Sequence, residues 1–549
     1  MKELKVTRNR FKIKLHYMLT LILLIHCSFF VIYWMAVGDF RADVDQYIEN
    51  MTGWLLPYVT FVIVITVLIG IWSLFRFIGF QLAARKEVWN PTFVNWVYLL
   101  LWLVFLIFFY GAFFIILREN PSQKGLLNHL FNLMRLGSDA VLFLLAVMGL
   151  RHLILKLRGK MQMAKHRWPW AVGIFLVLVS LVGLWLLPTV FPPNWAYEGD
   201  LPAKPALIAH RGASLLAPEN TLAAAELAVV NQAFGFETDV RITLDGVPVL
   251  MHDETLERTT NIAEVFPERV NDIVSSFTMD ELKQLNAGLW FIQKDPFGTI
   301  NAGHVSQTQL GINQGQSIPT LSEMLVLMER RGMVIIFDMR YPPSNHPHYS
   351  DFFDVVLTEC RKSGLNGDIW FLVDREHLEV VQEETPQLTR VVGSNSTDLP
   401  EPEDLLELGY EIVNVDSGIF AKSIEAYRAQ GLGVNVYTVD QPWLFSQFWL
   451  SGVTSITTNN VHALSKMDRP FLNLPYSQYI FFWGLFGIIV SIWLASSQPK
   501  PEKEEPDQGN KQEPAGSGQG LNQELDAFDL GSSSEANGEL SQDEDMEGI

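Results

Sequence analysis

Hydrophobic residues follow two different patterns along the chain, and the first consists of long uninterrupted apolar stretches. These stretches lie at about 16–37, 54–75, 95–117, 134–150, 169–191 and 477–496. A helix needs about 20 apolar residues to cross a bilayer, and most of the stretches reach that length. The fourth is the weakest, because Arg135 and Asp139 lie near its start. The pattern therefore predicts an α-helical membrane domain of about six spans, five before a long polar region and one after it.

The second pattern lies between residues 205 and 460, where short apolar runs alternate with amphipathic stretches. Runs of this length are typical of buried strands. The strand candidates are ALIAH (206–210), GFETDVRI (235–242), PVLMHD (248–253), MVIIFDMR (333–340), IWFLVD (369–374), EIVNVD (411–416), VNVYTV (434–439) and TSITT (454–458). The helix candidates are 221–231, 320–331, 350–363, 420–430 and 443–451. About eight β/α repeats in roughly 250 residues predict an α/β fold, a (β/α)8 TIM barrel.

Two features of this region do not fit a plain barrel. RVVGS at 390–394 is a ninth strand candidate for eight positions, so one of the nine must lie elsewhere. Residues 254–317 contain no strand candidate, and so long a connection without one is uncommon in a compact domain. We therefore expect 254–317 to be an insertion in a loop near the functional site.

The loops between the apolar stretches differ in charge. Lys and Arg are concentrated at the N-terminus and in the second and fourth loops, and the loops on the other side are nearly free of them. Because cytosolic loops carry the excess of Lys and Arg, both termini should be cytosolic and the barrel extracellular or lumenal. N-glycosylation sequons at Asn50 and Asn395 fall on the same outer side. We expect a multi-pass glycoprotein of the plasma membrane.

These patterns divide the chain into four parts. Residues 1–191 hold the N-terminus and five spans, 192–470 the barrel, 477–496 the sixth span and 497–549 a cytosolic tail. Residues 500–549 contain 14 Asp or Glu and three Lys, so they account for −11 of the net charge of −20. Such a segment cannot bury a core, so we predict a disordered, solvated tail, with a docking segment for a cytosolic partner as the alternative. The remaining charge does not indicate nucleic-acid binding.

Three acidic residues lie at the ends of predicted strands. Glu237 and Asp239 are two residues apart on one strand, so their side chains share a face. Two carboxylates in one barrel mouth repel each other unless a cation or a proton lies between them. Asp338, on the next long strand, can supply a third oxygen ligand. Carboxylates without cysteine favour Ca²⁺ or Mg²⁺ over zinc, whereas the alternative is that all three are solvated strand-end residues.

Two histidines and two arginines accompany these acids. His210 and His252 each end a short apolar run, and they are either structural histidines or a general acid and a general base. Arg211 and Arg340 can hold phosphate oxygens through their planar forks of donors, and Glu219 can brace Arg211. With a divalent metal, this set can hydrolyse a phosphodiester. The attacking group is either water or an adjacent hydroxyl of the substrate.

The order of these motifs resembles that of the glycerophosphodiester phosphodiesterase family. HRG-(x)5-PENT begins at His210, and FETDV, DGVPVLMHD-x-TLERTTN, IPTLSEML and the Thr-Thr-Asn at 457–459 follow. The resemblance covers about 205–465, and the layout of spans is similar to that of the multi-pass, six-transmembrane animal branch. It implies a metal-dependent barrel that releases an alcohol from glycerophosphocholine or glycerophosphoinositol, or that cleaves glycosylphosphatidylinositol anchors.

The resemblance also implies a role for each candidate residue. It assigns metal binding to Glu237, Asp239 and Asp338, phosphate contact to Arg211, and acid–base catalysis to His210 and His252. Two positions depart from the family pattern: many members have Glu-x-Lys where this chain has Asp338-Met-Arg340, and Thr-Asp where it has Thr458-Asn459. The shorter Asp338 would shift a metal ligand by about one methylene, and Arg340 would hold an anion as a planar fork.

Three alternatives to this function follow from the same sequence. A six-span signalling scaffold or receptor with a non-catalytic barrel should have lost a histidine or the acidic set, and this chain retains both. A transporter should have charged residues inside the membrane, whereas Asp139 lies near the end of its stretch. A barrel that acts on intact membrane lipid, as phospholipase C- and sphingomyelinase D-like barrels do, is the closest alternative because the bilayer lies beside it.

Overall fold

A computed structural model describes residues 20–21, 23–35, 45, 57–84, 97, 100, 122–164 and 166–496. The third apolar stretch lies almost entirely outside these residues, as do the sequon at Asn50 and the acidic tail from 497. The interpretations of those three segments therefore stay predictions.

Eight parallel strands form a closed barrel. They are β1 (Ala206–His210), β2 (Gly235–Ile242), β3 (Val334–Met339), β4 (Ile369–Leu372), β5 (Thr389–Ser394), β6 (Ile412–Asp416), β7 (Gly433–Tyr437) and β8 (Ser455–Thr458). Each strand pairs in parallel with the next one along the chain. The ring closes because β8 pairs in parallel with β1. The prediction of a TIM barrel is confirmed.

A helix follows each barrel strand along the chain. The barrel helices are α1 (Leu222–Val230), α2 (Leu321–Arg331), α3 (Phe352–Lys362), α4 (Leu378–Glu384), α5 (Pro402–Leu408), α6 (Ala421–Ala429), α7 (Pro442–Leu450) and α8 (Val461–Leu464). The side chain of Thr221 caps α1 by accepting a hydrogen bond from the amide of Ala224. The sequence pattern does not reveal α4, α5 or α8, because helices of four to seven residues are too short to show a helical period.

One of the nine strand candidates lies outside the barrel, and it is PVLMHD rather than RVVGS. Residues Pro248–Leu250 form a short strand that pairs antiparallel with β2, with Leu250 opposite Val240. Only residues 243–247 separate it from β2, and a parallel neighbour needs a crossover of a dozen or more residues. The chain therefore turns back as a hairpin, and RVVGS supplies β5. His252 accordingly follows a hairpin strand and not a barrel strand.

The alternation of side chains along the strands positions the polar residues. Near the amino ends, inward-facing residues form one buried apolar cluster, made of Ile208, Val334, Ile336, Trp370, Val391 and Ile412. One step further along the strands the inward positions become polar. His210 is the register partner of Glu237, and Asp239 is the register partner of Asp338. The polar side chains consequently meet above the apolar layer, at the carboxyl ends of the strands.

The segment from 254 to 317 consists of short helices and loops, as an insertion without a strand should. Its helices are Ile262–Val265, Met279–Leu282, Leu289–Lys294 and Gln307–Gln314, with 3-10 turns at Pro267–Arg269 and Val274–Ser276. It contacts the loop between β1 and α1. Thr299 donates a hydrogen bond to the carbonyl of Leu215 (2.6 Å), and Asn313 donates one to the carbonyl of Leu216 (3.0 Å). The insertion thus supports the loop that carries Arg211 and Glu219.

Apolar helices flank the barrel in the chain. Within the described residues, three helices are long and apolar enough to cross a membrane, judged by length and composition: Tyr58–Ala84, Ser122–Met163 and Trp168–Val190. Shorter apolar helices cover Leu23–Met35 and Tyr476–Ile492. These helices support membrane association, and the number and direction of the spans stay predictions.

The N-terminal part of helix Ser122–Met163 packs against the barrel. The side chain of His129 is fully buried, with Nε2 2.8 Å from the carbonyl oxygen of Ile419 and its ring 4.7 Å from that of Phe448 on α7. Trp195 donates a hydrogen bond through Nε1 to the carbonyl of Asn132 (2.8 Å). Barrel and helix therefore share a buried interface in addition to their covalent connection.

Candidate active site

A cavity of about 450 Å³ lies at the carboxyl ends of the barrel strands, and we call it the site cavity. Its lining residues are His210, Arg211, Glu237, Asp239, Asp338, Arg340, Leu372, Gly393, Asn414, Tyr437, Thr438 and Thr457. TIM barrels build their active sites at this end. Six of the eight sequence candidates for catalysis, phosphate contact or metal binding line the cavity, whereas Glu219 and His252 lie outside its lining.

Hydrogen bonds fix the orientation of His210. Its Nδ1 lies 2.7 Å from Oδ1 of Asn459. The amide group of Asn459 is itself held by Asp440, because Nδ2 of Asn459 donates to Oδ2 of Asp440 at 2.7 Å. An amide oxygen only accepts hydrogen bonds, so this network assigns the proton of neutral His210 to Nδ1. Its Nε2 then presents a lone pair on the side of Glu237, whose Oε2 is 3.8 Å away.

The surroundings of His210 keep it neutral. Burial, followed by the positive charge of Arg211, lowers the pKa of His210 below its usual value. A neutral imidazole with an unprotonated Nε2 can take a proton from an attacking hydroxyl. Asn459 thus serves as the acceptor at the position where the family pattern has Asp.

Glu237 is a buried carboxyl group in an acidic neighbourhood. Its Oε2 accepts a hydrogen bond from the backbone amide of Arg211 at 3.1 Å. Burial, followed by the charge of Asp239, raises the pKa of Glu237 well above its usual value. Burial also raises the pKa of Asp338. Carboxyl groups whose charge is this unfavourable are stabilised when a cation binds between them.

Arg211 is held in place by acids on both sides. Its backbone has φ of 55°, a left-handed conformation that non-glycine residues seldom adopt and that is frequent at functional sites. Its NH1 donates to Oε1 of Glu219 at 3.0 Å, the bracing contact that the sequence predicts. Its Nε lies 3.2 Å from Oδ2 of Asp239. The guanidinium group is therefore positioned before any phosphate arrives.

Glu219 joins Arg211 to a second arginine. Arg258 donates two hydrogen bonds of 2.7 Å to the two carboxylate oxygens of Glu219, and its Nε donates to Asp253 at 2.6 Å. Burial alone would raise the pKa of Glu219, but hydrogen bonds and charge from Arg258, followed by Arg211, lower it. Glu219 is therefore ionised, and its charge is matched by two guanidinium groups.

His252 lies outside the lining of the site cavity, next to Asp253. Its Nδ1 is 2.8 Å from Oδ1 of Asp253, and Arg241 donates two hydrogen bonds to its backbone carbonyl. Its side chain is 33% exposed, so solvent or a leaving group can reach the ring. A histidine that a carboxylate orients in this way can act as the acid that gives a proton to a leaving alcohol. The structure thus separates the two histidines into a buried neutral one and an exposed one beside a carboxylate.

The three candidate metal ligands face the site cavity together, but Arg340 lies among them. Arg340 donates to Oδ1 of Asp239 through Nε and NH2, at 3.2 and 3.0 Å. Its NH2 also lies 2.9 Å from Oδ2 of Asp338. Among the described residues, no three His, Cys, Asp or Glu side chains converge closely enough to hold one ion. The all-oxygen donor set still fits a hard cation, provided that Arg340 moves to an anion in the same cavity.

Three residues of this network, Asp440, Arg258 and Asp253, are not among the sequence candidates. Asp440 directly follows the candidate strand VNVYTV, a strand-end position like those that identified the other acids, so the same rule could have found it. Arg258 and Asp253 lie in the DGVPVLMHD-x-TLERTTN motif, but the contact between Arg258 and Glu219 could not be predicted, because the two residues are 39 positions apart in sequence. Such a contact depends on how the insertion folds back, which no local pattern encodes.

Removing the acid that joins the two arginines should destabilise the barrel. The Glu219 side chain is 8% exposed, and Glu219→Ala removes the carboxylate that both Arg211 and Arg258 contact. Breaking a buried ion pair costs about 3–5 kcal/mol, and we expect about 3 kcal/mol here because Arg258 is partly exposed. Thermal unfolding of the full chain in detergent measures the effect as a lower Tm.

An exposed ion pair elsewhere on the barrel provides the control. Glu226 on α1 pairs with Arg331 at 2.8 Å, and both side chains are more than two-fifths exposed. Glu226→Ala should therefore change stability by less than about 1 kcal/mol. Equal losses of Tm in the two variants would contradict the structural role assigned to Glu219.

Comparison with known proteins identifies relatives of the barrel. Residues 210–463 match the model of the glycerophosphoryl diester phosphodiesterase family. A glycerophosphoinositol inositolphosphodiesterase of Mus musculus is 38% identical over 307 residues, which cover 56% of this chain and 55% of the relative. The glycerophosphodiester phosphodiesterase domain-containing protein 5 of Homo sapiens is 38% identical over 320 residues, 57% of this chain and 51% of the relative.

The chain spans about half the length of these curated relatives. Among solved structures, an Oleispira antarctica phosphodiesterase in complex with its product sn-glycerol-3-phosphate superposes with a TM-score of 0.39. Its sequence is 22% identical, and the match covers 47% of this chain and 95% of that protein.

Proposed function

We propose that the chain is a membrane-anchored, metal-dependent phosphodiesterase that hydrolyses glycerophosphodiesters, because residues 210–463 match the model of the glycerophosphoryl diester phosphodiesterase family. The observation that carries the proposal is the position of His210, neutral and oriented by Asn459, beside Glu237 and Arg211. A base, an acid and an arginine in one cavity are the parts that phosphodiester hydrolysis requires.

In the proposed reaction, the substrate phosphate binds between Arg211 and Arg340. Both guanidinium groups neutralise charge that develops on the phosphate oxygens in the transition state. Nε2 of His210 takes the proton of the attacking group, which is water or an adjacent substrate hydroxyl. His252, whose Nδ1 lies beside Asp253, gives a proton to the leaving alcohol. Glu219 keeps Arg211 in place throughout.

Glu237, Asp239 and Asp338 are the residues that would hold a divalent cation, Ca²⁺ or Mg²⁺. Such an ion supplies Lewis-acid polarisation of the phosphate. When an anion enters the site cavity, Arg340 can exchange its contacts with Asp239 and Asp338 for contacts with that anion. The two carboxylates then become available together.

The membrane arrangement is also part of the proposal. Residues 1–191 and 477–496 anchor the chain, and the barrel at 192–470, with its insertion at 254–317, lies outside the cytosol. The distribution of Lys and Arg supports this orientation, and Asn395 is exposed at the end of β5, where a glycan can be attached. The substrates are then glycerophosphocholine, glycerophosphoinositol or glycosylphosphatidylinositol anchors at the outer face of the membrane. The tail at 497–549 is available to a cytosolic partner.

Metal removal tests this function. The full chain should release product from at least one of glycerophosphocholine, glycerophosphoinositol and an anchored reporter protein. A chelator should abolish that release, and added Ca²⁺ or Mg²⁺ should restore it, because the carboxylates otherwise repel one another. Turnover that persists in the chelator would contradict metal dependence. Failure to turn over any of the three substrates would favour a non-catalytic scaffold.

A further inference from the structure

A second cavity, of about 540 Å³, adjoins the site cavity. The two share three lining residues, Asp338, Leu372 and Gly393. The second cavity lies over the carboxyl ends of β3, β4 and β5, so it is on the same face of the barrel. Its size is within the range of small-ligand pockets. A phosphodiester bound at Arg211 and Arg340 could therefore extend one of its two ester groups into this second cavity.

The charges that line the second cavity are mainly negative. Besides the shared Asp338, its acidic residues are Asp374 and Asp404, and its basic residues are Arg375 and His377, which contacts Asp374. Even if Asp338 is engaged in the site cavity, the two remaining carboxylates outnumber the one guanidinium group. This balance disfavours an anionic ligand and favours a cationic one.

Asp374 is 60% exposed, and its carboxylate is held by His377. Its Oδ1 accepts a hydrogen bond from the backbone amide of His377 at 3.0 Å and lies 2.8 Å from Nδ1 of the same residue. The His377 ring in turn stacks on Phe353, with ring centres 4.1 Å apart. A fixed carboxylate loses little side-chain freedom when a cation binds beside it.

Aromatic and aliphatic side chains form the rest of the lining of the second cavity. Tyr341 is 38% exposed, and its ring is steadied by an edge-on contact of 5.2 Å with Phe352. Val392, Leu405 and Leu408 supply apolar surface. Burial, followed by the negative charge of Asp374, raises the pKa of Tyr341 to about 12, which agrees with an electronegative cavity. Methylated ammonium groups bind to such combinations of aromatic face, aliphatic surface and carboxylate, whereas a cyclitol needs many hydrogen-bonding partners.

We propose that the second cavity is a head-group cavity that binds a quaternary ammonium group attached to the phosphodiester in the site cavity. This inference rests on the proposed function, because it assigns the head group of the same substrate. It favours glycerophosphocholine over glycerophosphoinositol. Asp374 and Tyr341 are specificity residues in this assignment and take no part in proton transfer.

The test compares two substrates in one protein. The full chain in detergent is assayed with glycerophosphocholine and with glycerophosphoinositol, and kcat/KM is obtained for each. Asp374→Asn keeps the shape and the hydrogen bonds to His377 but removes the charge. We expect it to lower the choline-to-inositol ratio of kcat/KM about fivefold, through KM, which is the size of effect for a partly exposed charge pair. Glu379→Gln, an exposed acid on α4 outside the cavity lining, should keep the wild-type ratio.

A binding measurement separates this inference from the proposed function. Choline chloride, titrated calorimetrically into the full chain, should bind to wild type and to Glu379→Gln but more weakly to Asp374→Asn, and myo-inositol should not bind. If neither diester is hydrolysed but choline binds in this way, the proposed function fails and the head-group cavity stands. If diesters are hydrolysed but both variants keep the same substrate ratio, or choline binds equally to both, the head-group assignment is overturned and the proposed function stands.

Discussion

Replacing His210 or His252 with alanine should lower kcat by about 10²- to 10⁴-fold, the usual loss when a general acid or base is removed. For His210, the reason is that its Nε2 faces the site cavity while Asn459 and Asp440 hold the protonated Nδ1. For His252, the reason is that Asp253 orients its exposed ring through Nδ1, and the proposed reaction assigns that ring the proton of the leaving alcohol. The double variant should lose much less than the product of the two single losses, because both residues act in one turnover.

An exposed histidine of the insertion provides the control for these variants. His304 lies outside the site cavity lining, so His304→Ala should turn over glycerophosphodiesters at the wild-type rate. Product release by the full chain is measured under saturating substrate. A His210→Ala protein that turns over like the His304→Ala protein would remove His210 from the mechanism.

Glu237→Gln should have the second large effect, a loss of about 10³-fold in kcat/KM, since it removes a charge that the reacting centre requires. Glutamine preserves the shape of the side chain and can still accept the hydrogen bond from the amide of Arg211. It cannot carry the negative charge that a divalent cation would stabilise. Ca²⁺ or Mg²⁺ should raise the Tm of the wild-type protein, because a ligand that binds the folded state stabilises it, and should raise that of Glu237→Gln much less.

Glu257→Gln is the matched control, because Glu257 is an exposed acid in the TLERTTN segment and does not line the site cavity. Its activity and its response to metal should equal those of the wild type. An equal rise in Tm on metal addition for Glu237→Gln and Glu257→Gln would show that the ion binds elsewhere.

The barrel could be predicted from sequence because its determinants are local. Short apolar runs mark the strands, and the acids and His210 at the strand ends fall on inward positions by parity. His210 and Glu237 become register partners for that reason. The hairpin at Pro248–Leu250 was misassigned because an apolar run looks the same in a barrel strand and in a hairpin. The five-residue connection before it distinguishes the two, because it is too short for a crossover to a parallel strand.

The finer organisation of the site could not be predicted because it depends on contacts between distant segments. The sequence suggested a phosphate contact for Arg340, but in the structure this residue bridges Asp239 and Asp338. Arg258 pairs with Glu219 only because the insertion folds back on the loop after β1. Several residues of opposite charge are available to each of these side chains. Which of them pair depends on distances in the folded structure, which the sequence does not give.

The most direct test of the central claim is to follow glycerophosphocholine and glycerophosphoinositol by phosphorus NMR in the presence of the full chain and Ca²⁺ or Mg²⁺. The account predicts that the diester signal of at least one substrate is replaced by a phosphomonoester signal with the wild-type protein. It predicts that the diester persists with the His210→Ala/His252→Ala double variant. Conversion at the same rate by both proteins, or no conversion by the wild type, would contradict the assignment of this cavity as a phosphodiesterase site.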